Sequence, residues 1–177
     1  MSLDFSKNHF ELFHLPVAYT LELVVLERAY REVQREVHPD RYAQASESEQ
    51  RLAAQWATQV NEAYTTLKSP LARARYFLKI HGIDTQEETN TAMPRAFLMQ
   101  QMEWREAVAE ARQAGNADGL DTLNNQRRGE EQMLIAQLGK QLAYAGTMPA
   151  ATETVRKLRF LEKLGEEIDD AIGALGD

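Results

Sequence analysis

The chain has 177 residues, of which 27% are charged and 44% hydrophobic, with a net charge of −7 and no cysteine; this balance suits one large domain or two small ones and excludes a disordered or membrane-like chain. Without cysteine there are no disulfides, thiolate metal sites or thiol nucleophiles, and His9, His14, His38 and His81 lack the close pairing of a zinc site. Residues 1–82 hold ten Lys/Arg against ten Asp/Glu, so the whole acidic excess (20 cations against 27 acids overall) falls in residues 83–177. An acidic second half argues against a nucleic-acid grip and for two modules with different partners. The N-terminus has no basic start followed by an apolar run, and no apolar window approaches the ~20 residues of a membrane span. The expectation is a soluble cytoplasmic protein.

Nearly every segment repeats apolar residues at helical spacing, so the expected class is all-α. "NHFELFHL" is a short helical turn that stops before Pro16. Thr20 is expected to cap a second helix, in which Leu23, Leu26, Tyr30, Val33 and Val37 step by three and four. That helix must stop at or before His38, because the residue preceding a proline is pushed out of the α region. Ser46-Glu47-Ser48-Glu49 has the capping-box pattern and opens a third helix, with Leu52, Trp56, Val60, Ala63, Tyr64 and Leu67 along one side. Ser69-Pro70 starts a fourth, through Leu71, Ala74, Phe77 and Leu78, which ends at Gly82. Residues 83–93 are polar and aperiodic, and are expected to form a linker. Pro94 suits the first position of a helix that runs to about Gln113, before Gly115. Asn116 caps a long helix through Leu120, Leu123, Leu134, Leu138 and Leu142. Gly146 and Pro149 separate it from a last helix carrying Val155, Leu158, Leu161, Leu164, Ile168, Ile172 and Leu175. The expected organisation is a four-helix module over 1–82 and a three-helix bundle over 94–177.

Two constellations carry chemistry. At 100° per residue, Arg28, Arg31 and Arg35 lie within about 60° of one another, opposite the apolar face of the second helix. Such a stripe alone is usually a solvated surface, paired with neighbours such as Glu32 and Glu36. Here it runs into "QREVHPDRYAQAS", where His38-Pro39-Asp40 forms the turn and Arg41 follows. A catalytic use of His38 with Asp40 requires a nucleophile or a metal, and the sequence supplies neither. In "PRAFLMQQMEWREAVAEAR", Phe97, Trp104 and Val108 share a core face. Leu98, Met99 and Met102 make a second apolar stripe, edged by Glu103, Glu106 and Glu110. A bundle helix packs against two neighbours, which explains a broad apolar arc; methionines beside acids also suit an adaptable docking surface.

A short first helix, a basic amphipathic second, His-Pro-Asp in the loop and a capped third helix together resemble the J-domain of DnaK-type chaperone partners, over about residues 8–80. The resemblance implies that His38, Pro39 and Asp40 engage the chaperone and stimulate its ATPase. It also implies that Arg28, Arg31, Arg35 and Arg41 dock onto an acidic surface. "AFLMQQMEWREAV" with "TVRKLRFLEKL" looks like the C-terminal domain of HscB-type J-domain co-chaperones of iron–sulfur cluster assembly. With it the resemblance spans essentially the whole chain. It implies a bundle that binds the scaffold protein IscU through Leu98, Met99, Met102, Glu103, Glu106, Glu110 and Phe160, and a specialised chaperone partner, HscA. Phe160 is either an exposed contact or a core-edge aromatic. Where the family commonly has leucine this chain has Met102 and Trp104, and Trp104 needs a larger core cavity. No enzymatic activity, cofactor, directly bound metal, nucleic acid or membrane is expected. The alternatives are a J-domain co-chaperone with a different client, a helical adaptor, and an enzyme using His38 and Asp40.

Overall fold

The computed structural model describes residues 6–87 and 93–176, which form seven α-helices and no strand. The chain divides into two compact units, Met1–Ile80 and His81–Asp177. Part of the expected linker, 88–92 of 83–93, falls outside the described residues. Its described beginning belongs to the second unit, where Arg156 Nη1 donates to the Thr85 carbonyl at 3.2 Å.

The first unit contains α1 (His9–Leu12), α2 (Leu23–Val37), a 3-10 turn (Pro39–Tyr42), α3 (Glu47–Lys68) and α4 (Pro70–Ile80). Asn8 closes a capping box on α1 with Glu11, which is how so short a helix holds. The Ser46–Glu49 box expected at the start of α3 is present, with Ser46 Oγ accepting from Glu49 N and Glu49 Oε2 accepting from Ser46 N. Thr20 does not cap α2. Glu22 holds that position and makes no side-chain cap bond, so the first turn of α2 opens without one.

Helices α2 and α3 form a hairpin whose midpoint is a stack of Tyr30 on Tyr64, with centroids 4.1 Å apart. Tyr30 Oη reaches Asn61 Oδ1 beside it. The core below is Phe10, Phe13, Leu26, Val33, Val37, Trp56, Val60, Ala63, Leu67, Ala74, Phe77 and Leu78, all buried. Each of the larger aliphatic and aromatic side chains contributes about 1.5–3 kcal/mol by leaving water. Two expected members are outside it. Leu23 and Leu52 are about half exposed, while Leu26 and Ala53 near them are buried.

One buried polar group was not legible in the periodicity. Arg73 is 6% exposed, donates from Nη1 to the Leu67 carbonyl at 2.7 Å, and lies 5.1 Å from the Tyr19 ring centroid. Leu67 is in the last turn of α3, whose final carbonyls have no intrahelical donor. Arg73 therefore joins α3, α4 and the segment before α2 through one guanidinium.

The second unit is a three-helix bundle of α5 (Arg95–Gln113), α6 (Ala117–Gln141) and α7 (Met148–Gly176). Pro94 is the N-cap of α5 and not its first helical residue. The α5–α6 joint uses Gly115 at φ +65, a conformation open to glycine, and Asn116 Oδ1 then accepts from Gly119 N at 2.9 Å. A 3-10 turn, Ala145–Thr147, leads into α7. Pro149 thus lies within the first turn of α7, where a missing N–H costs nothing, and does not separate it from α6. Val108, Ala111, Leu120, Leu164, Ile168 and Ala171 pack together, with Trp104, Leu123 and Ile172 against them. The larger core cavity expected for Trp104 is not needed, because the indole is only partly buried and packs against the margin of that cluster. Leu175 is past the bundle and exposed. On α7, Gly165 leaves room for Arg127 of α6, whose guanidinium carbon would lie 3.2 Å from any Cβ at that position. Arg127 is held there by Asn124 Oδ1 at 3.1 Å and Glu131 at 2.9 Å.

Two stability measurements follow from this packing. Arg73→Ala removes a short charge-assisted bond and a buried aliphatic stem, and is expected to lower the urea-unfolding free energy by about 2–3 kcal/mol. His9 stacks on Tyr76 at 4.0 Å, and its pKa is lowered, chiefly by burial, with Lys79 adding to the effect and Glu62 opposing it. The unfolded chain therefore binds the proton more readily than the folded one. The His9 contribution is fully present above the unfolded value of about 6.5 and is lost as pH falls through the lower folded value. Urea titrations across that range should show His9→Phe, which keeps the stack, losing less stability in acid than the wild type.

Candidate functional site

The C-terminal end of α2 is shaped by Pro39. His38 leaves the helix at φ −60, ψ 128, as a residue before proline must, and Pro39 begins the 3-10 turn. His38 Nδ1 accepts the Asp40 backbone N–H at 3.3 Å. A ring nitrogen that accepts carries no proton, so the neutral imidazole bears its hydrogen on Nε2. Asp40 Oδ2 is 3.5 Å from the same nitrogen, and the Asp40 side chain is 90% exposed against 50% for His38. In a catalytic His–Asp dyad the Nδ1–H donates to the carboxylate. Here Nδ1 is occupied as an acceptor, so the ring and the carboxylate are presented side by side.

The turn is anchored at both ends. Arg41 Nη1 donates to the Arg35 carbonyl at 3.1 Å and Tyr42 Oη to the Glu36 carbonyl at 3.2 Å, both on the last turn of α2. Gln50 Nε2 from α3 reaches the carbonyls of Ala43 and Ala45 at 3.3 and 3.0 Å. Tyr42 and Gln50 were missed in the sequence, since neither falls on a periodic face and both act through main-chain carbonyls.

Arg28, Arg31, Arg35 and Arg41 are all exposed. Arg31 pairs with Glu27 at 3.5 Å, one turn back, and not with the Glu32 or Glu36 expected from proximity. Arg35 Nε bonds the Arg31 carbonyl at 3.1 Å, which lays its guanidinium along its own helix. The structure thus brings the stripe and the His38-Pro39-Asp40 turn together on one edge of the first unit. In an exposed setting these pairs are worth little, which leaves the cations available to another surface.

On α5, Phe97 and Val108 are buried, while Leu98, Met99 and Met102 are 36%, 51% and 71% exposed. Glu103, Glu106 and Glu110 are exposed on the same helix. Phe160 is a core-edge aromatic: it is half-buried and meets the Phe97 ring edge to face, centroids 5.9 Å apart. Lys157 Nζ lies 5.7 Å from the same Phe97 centroid and 2.7 Å from Glu153. Phe97 is thereby clamped between two residues of α7, which fixes where α5 presents its outer stripe. A groove of about 550 Å³ between α5 and α7, lined by Arg105, Val108, Arg112, Glu167 and Asp170 among others, is crossed by the Arg105–Glu167 pair at 3.2 Å. It holds no nucleophile with an adjacent base.

Among the described residues no three His, Asp or Glu side chains are grouped to hold a metal ion, and no helix is long and apolar enough to cross a membrane.

Residues 93–169 match the family model described as the HSCB C-terminal oligomerisation domain. The co-chaperone protein HscB homolog of Azoarcus sp. (strain BH72) is 48% identical over 175 residues, covering 99% of this chain and 99% of its own. The solved structure of chaperone HscB from Vibrio cholerae has a TM-score of 0.82 and 36% identity over 96% of this chain and 99% of that one. Human co-chaperone HscB has a TM-score of 0.87 and 28% identity over 96% of this chain and 84% of that one. A basic-edged helical hairpin with an exposed His-Pro-Asp turn, followed by a three-helix bundle and matched along nearly its whole length, places the chain in the HscB family of J-domain co-chaperones.

Proposed function

We propose that this co-chaperone acts in cytoplasmic iron–sulfur cluster assembly, joining an IscU-type scaffold to a specialised DnaK-type chaperone of the HscA kind, and that it performs no catalysis of its own. The J-domain (1–82) meets the chaperone with Arg28, Arg31, Arg35 and Arg41, and His38-Pro39-Asp40 stimulates ATP hydrolysis there. The bundle (94–177) holds the scaffold with Leu98, Met99, Met102, Glu103, Glu106, Glu110 and the exposed rim of Phe160. The observation that carries this reading is the pairing, in one chain, of an anchored turn beside four exposed arginines with an exposed Leu98–Met102 stripe beside three exposed acids. A cationic edge steers association and fixes orientation more than it adds affinity. An apolar stripe with a charged margin supplies affinity by excluding water. Tethering both raises the effective concentration of client at the chaperone. The polarity of the His38–Asp40 contact supports a presenting role over a catalytic one.

Self-association of the bundle has support of its own, because the matching family model is described as an oligomerisation domain. A J-domain co-chaperone with a different client is the remaining alternative.

Steady-state ATPase of an HscA-type chaperone, with this protein and IscU added separately and together, tests the bridge. Synergy is expected, and His38→Gln should return the rate close to its unstimulated level. Equal stimulation by His38→Gln would remove the turn from the mechanism. For the bundle, Met102→Asp is expected to weaken scaffold binding about tenfold by calorimetry with stability unchanged within ~0.5 kcal/mol. Phe160→Ala should weaken binding and also lower stability by about 1–2 kcal/mol, because its ring edge packs on Phe97. Scaffold binding untouched by Met102→Asp, with a sedimentation change in its place, would assign the stripe to self-association.

A further inference from the structure

Tyr42 has no binding role in the reading above, yet it occupies a telling position. In a continuing α-helix the Arg35 carbonyl would accept from the N–H of residue 39, and the Glu36 carbonyl from that of residue 40. Residue 39 is proline and has no N–H. The Asp40 N–H is turned to the His38 ring. Both carbonyls nevertheless have donors, Arg41 Nη1 at 3.1 Å and Tyr42 Oη at 3.2 Å. Two consecutive side chains of the turn replace the two consecutive backbone donors that the turn removed.

We propose that Tyr42 is a positioning residue for the His-Pro-Asp turn: its hydroxyl on the Glu36 carbonyl, with Arg41 on Arg35, clasps the turn to the end of α2 and leaves the Asp40 N–H to hold the His38 ring in one tautomer. Pro39 keeps His38 extended, so the Asp40 N–H cannot return to the Glu36 carbonyl in the tyrosine's place. Without the hydroxyl that carbonyl has no donor from the turn, Arg41 alone ties the turn to α2, and the Asp40 N–H to His38 Nδ1 bond at 3.3 Å loosens with the turn's pitch. Once Nδ1 stops accepting, the Asp40 carboxylate 3.5 Å away favours a proton on Nδ1, and the ring loses its fixed presentation of Nε2–H. Gln50, bonded to the Ala43 and Ala45 carbonyls, closes the far side, so the clasp sets the pitch of a segment already tied at its other end. A group held before the partner arrives costs less to order on binding, and the benefit falls on the step that needs the ring in place. The functional half of the proposal rests on the reading of this turn as chaperone-facing; the clasp itself does not.

Tyr42→Phe removes one oxygen and keeps the ring. In the full chain at about pH 8, where free histidine is neutral, the nitrogen-15 resonances of the His38 ring should move away from a single Nε2–H tautomer, with Nδ1–H gaining population. With an HscA-type chaperone, maximal ATPase stimulation should fall about threefold, one hydrogen bond's worth. The half-saturating concentration and the thermal midpoint should stay near wild type, which a merely destabilised fold would not give. His38 ring nitrogens identical in both proteins would overturn the clasp. A changed ring with undiminished maximal stimulation would overturn the positioning role. A wild type that stimulates no chaperone would instead overturn the proposed function, and the ring spectrum alone would then decide the clasp.

Discussion

The missing N–H of Pro39 is the constraint from which the first unit's working edge follows. A helix that loses one donor in its last turn cannot simply continue, and the residue before the proline is barred from helical backbone as well. His38 is therefore forced outward at the point where the arginine-bearing face of α2 ends. The carbonyls left behind must still be satisfied, and the nearest groups able to do so are side chains of the turn, Arg41 and Tyr42. A broken helix thus becomes a well-tied one, with the histidine on the outside of the tie. The same residue that stops the helix determines what is exposed and what is bonded.

The two exposed surfaces work by opposite physics, and each unit is built to keep its surface unspent. On α2 Arg31 pairs with Glu27 and Arg35 bonds the Arg31 carbonyl, both in exposed positions. Such contacts are weak in water and exchange readily for a partner's carboxylates. On α5 the helix has core neighbours on its Phe97–Val108 side, and the Leu98–Met102 side meets solvent. Among the described residues of the unit no further helix covers that side. A charged edge is screened by salt while an apolar stripe is not. Contacts made at the first therefore weaken with salt while contacts made at the second do not.

What was legible in the sequence was what periodicity and local capping encode. The helix order, the Ser46–Glu49 box, the Asn116 cap, the stop at His38 and the exposure of Leu98, Met99 and Met102 are each set within one or two turns of chain. What was not legible depends on which element lies opposite. Leu23 and Leu52 have the expected spacing, yet Leu26 and Ala53 near them take the buried places. Arg73 is charged, and its burial follows from an α3 carbonyl and the Tyr19 ring being within reach. Gly165 reads as a helix weakness until Arg127 from another helix is found across it. Tyr42 belongs to no apolar face at all, and its partner is a carbonyl, which no residue letter records.

Phe160 shows why a residue's role need not be single. Its ring contributes an edge to Phe97, which anchors the first turn of α5, while part of it remains open to solvent. Lys157, on the same face of α7 three residues earlier, reaches the same Phe97 ring with its ammonium. Anything that disturbs Phe160 therefore acts on the stripe twice: directly, by removing surface, and indirectly, by loosening the aromatic contact that fixes how α5 presents Leu98 and Met99. Met102 differs, since it stands a turn further along α5 with most of its side chain in water. The bundle thus separates a flexible part of its surface from a preorganised one. An adaptable methionine side chain stands on a helix whose first turn is held by the clamped Phe97, so its freedom is that of its own rotamers.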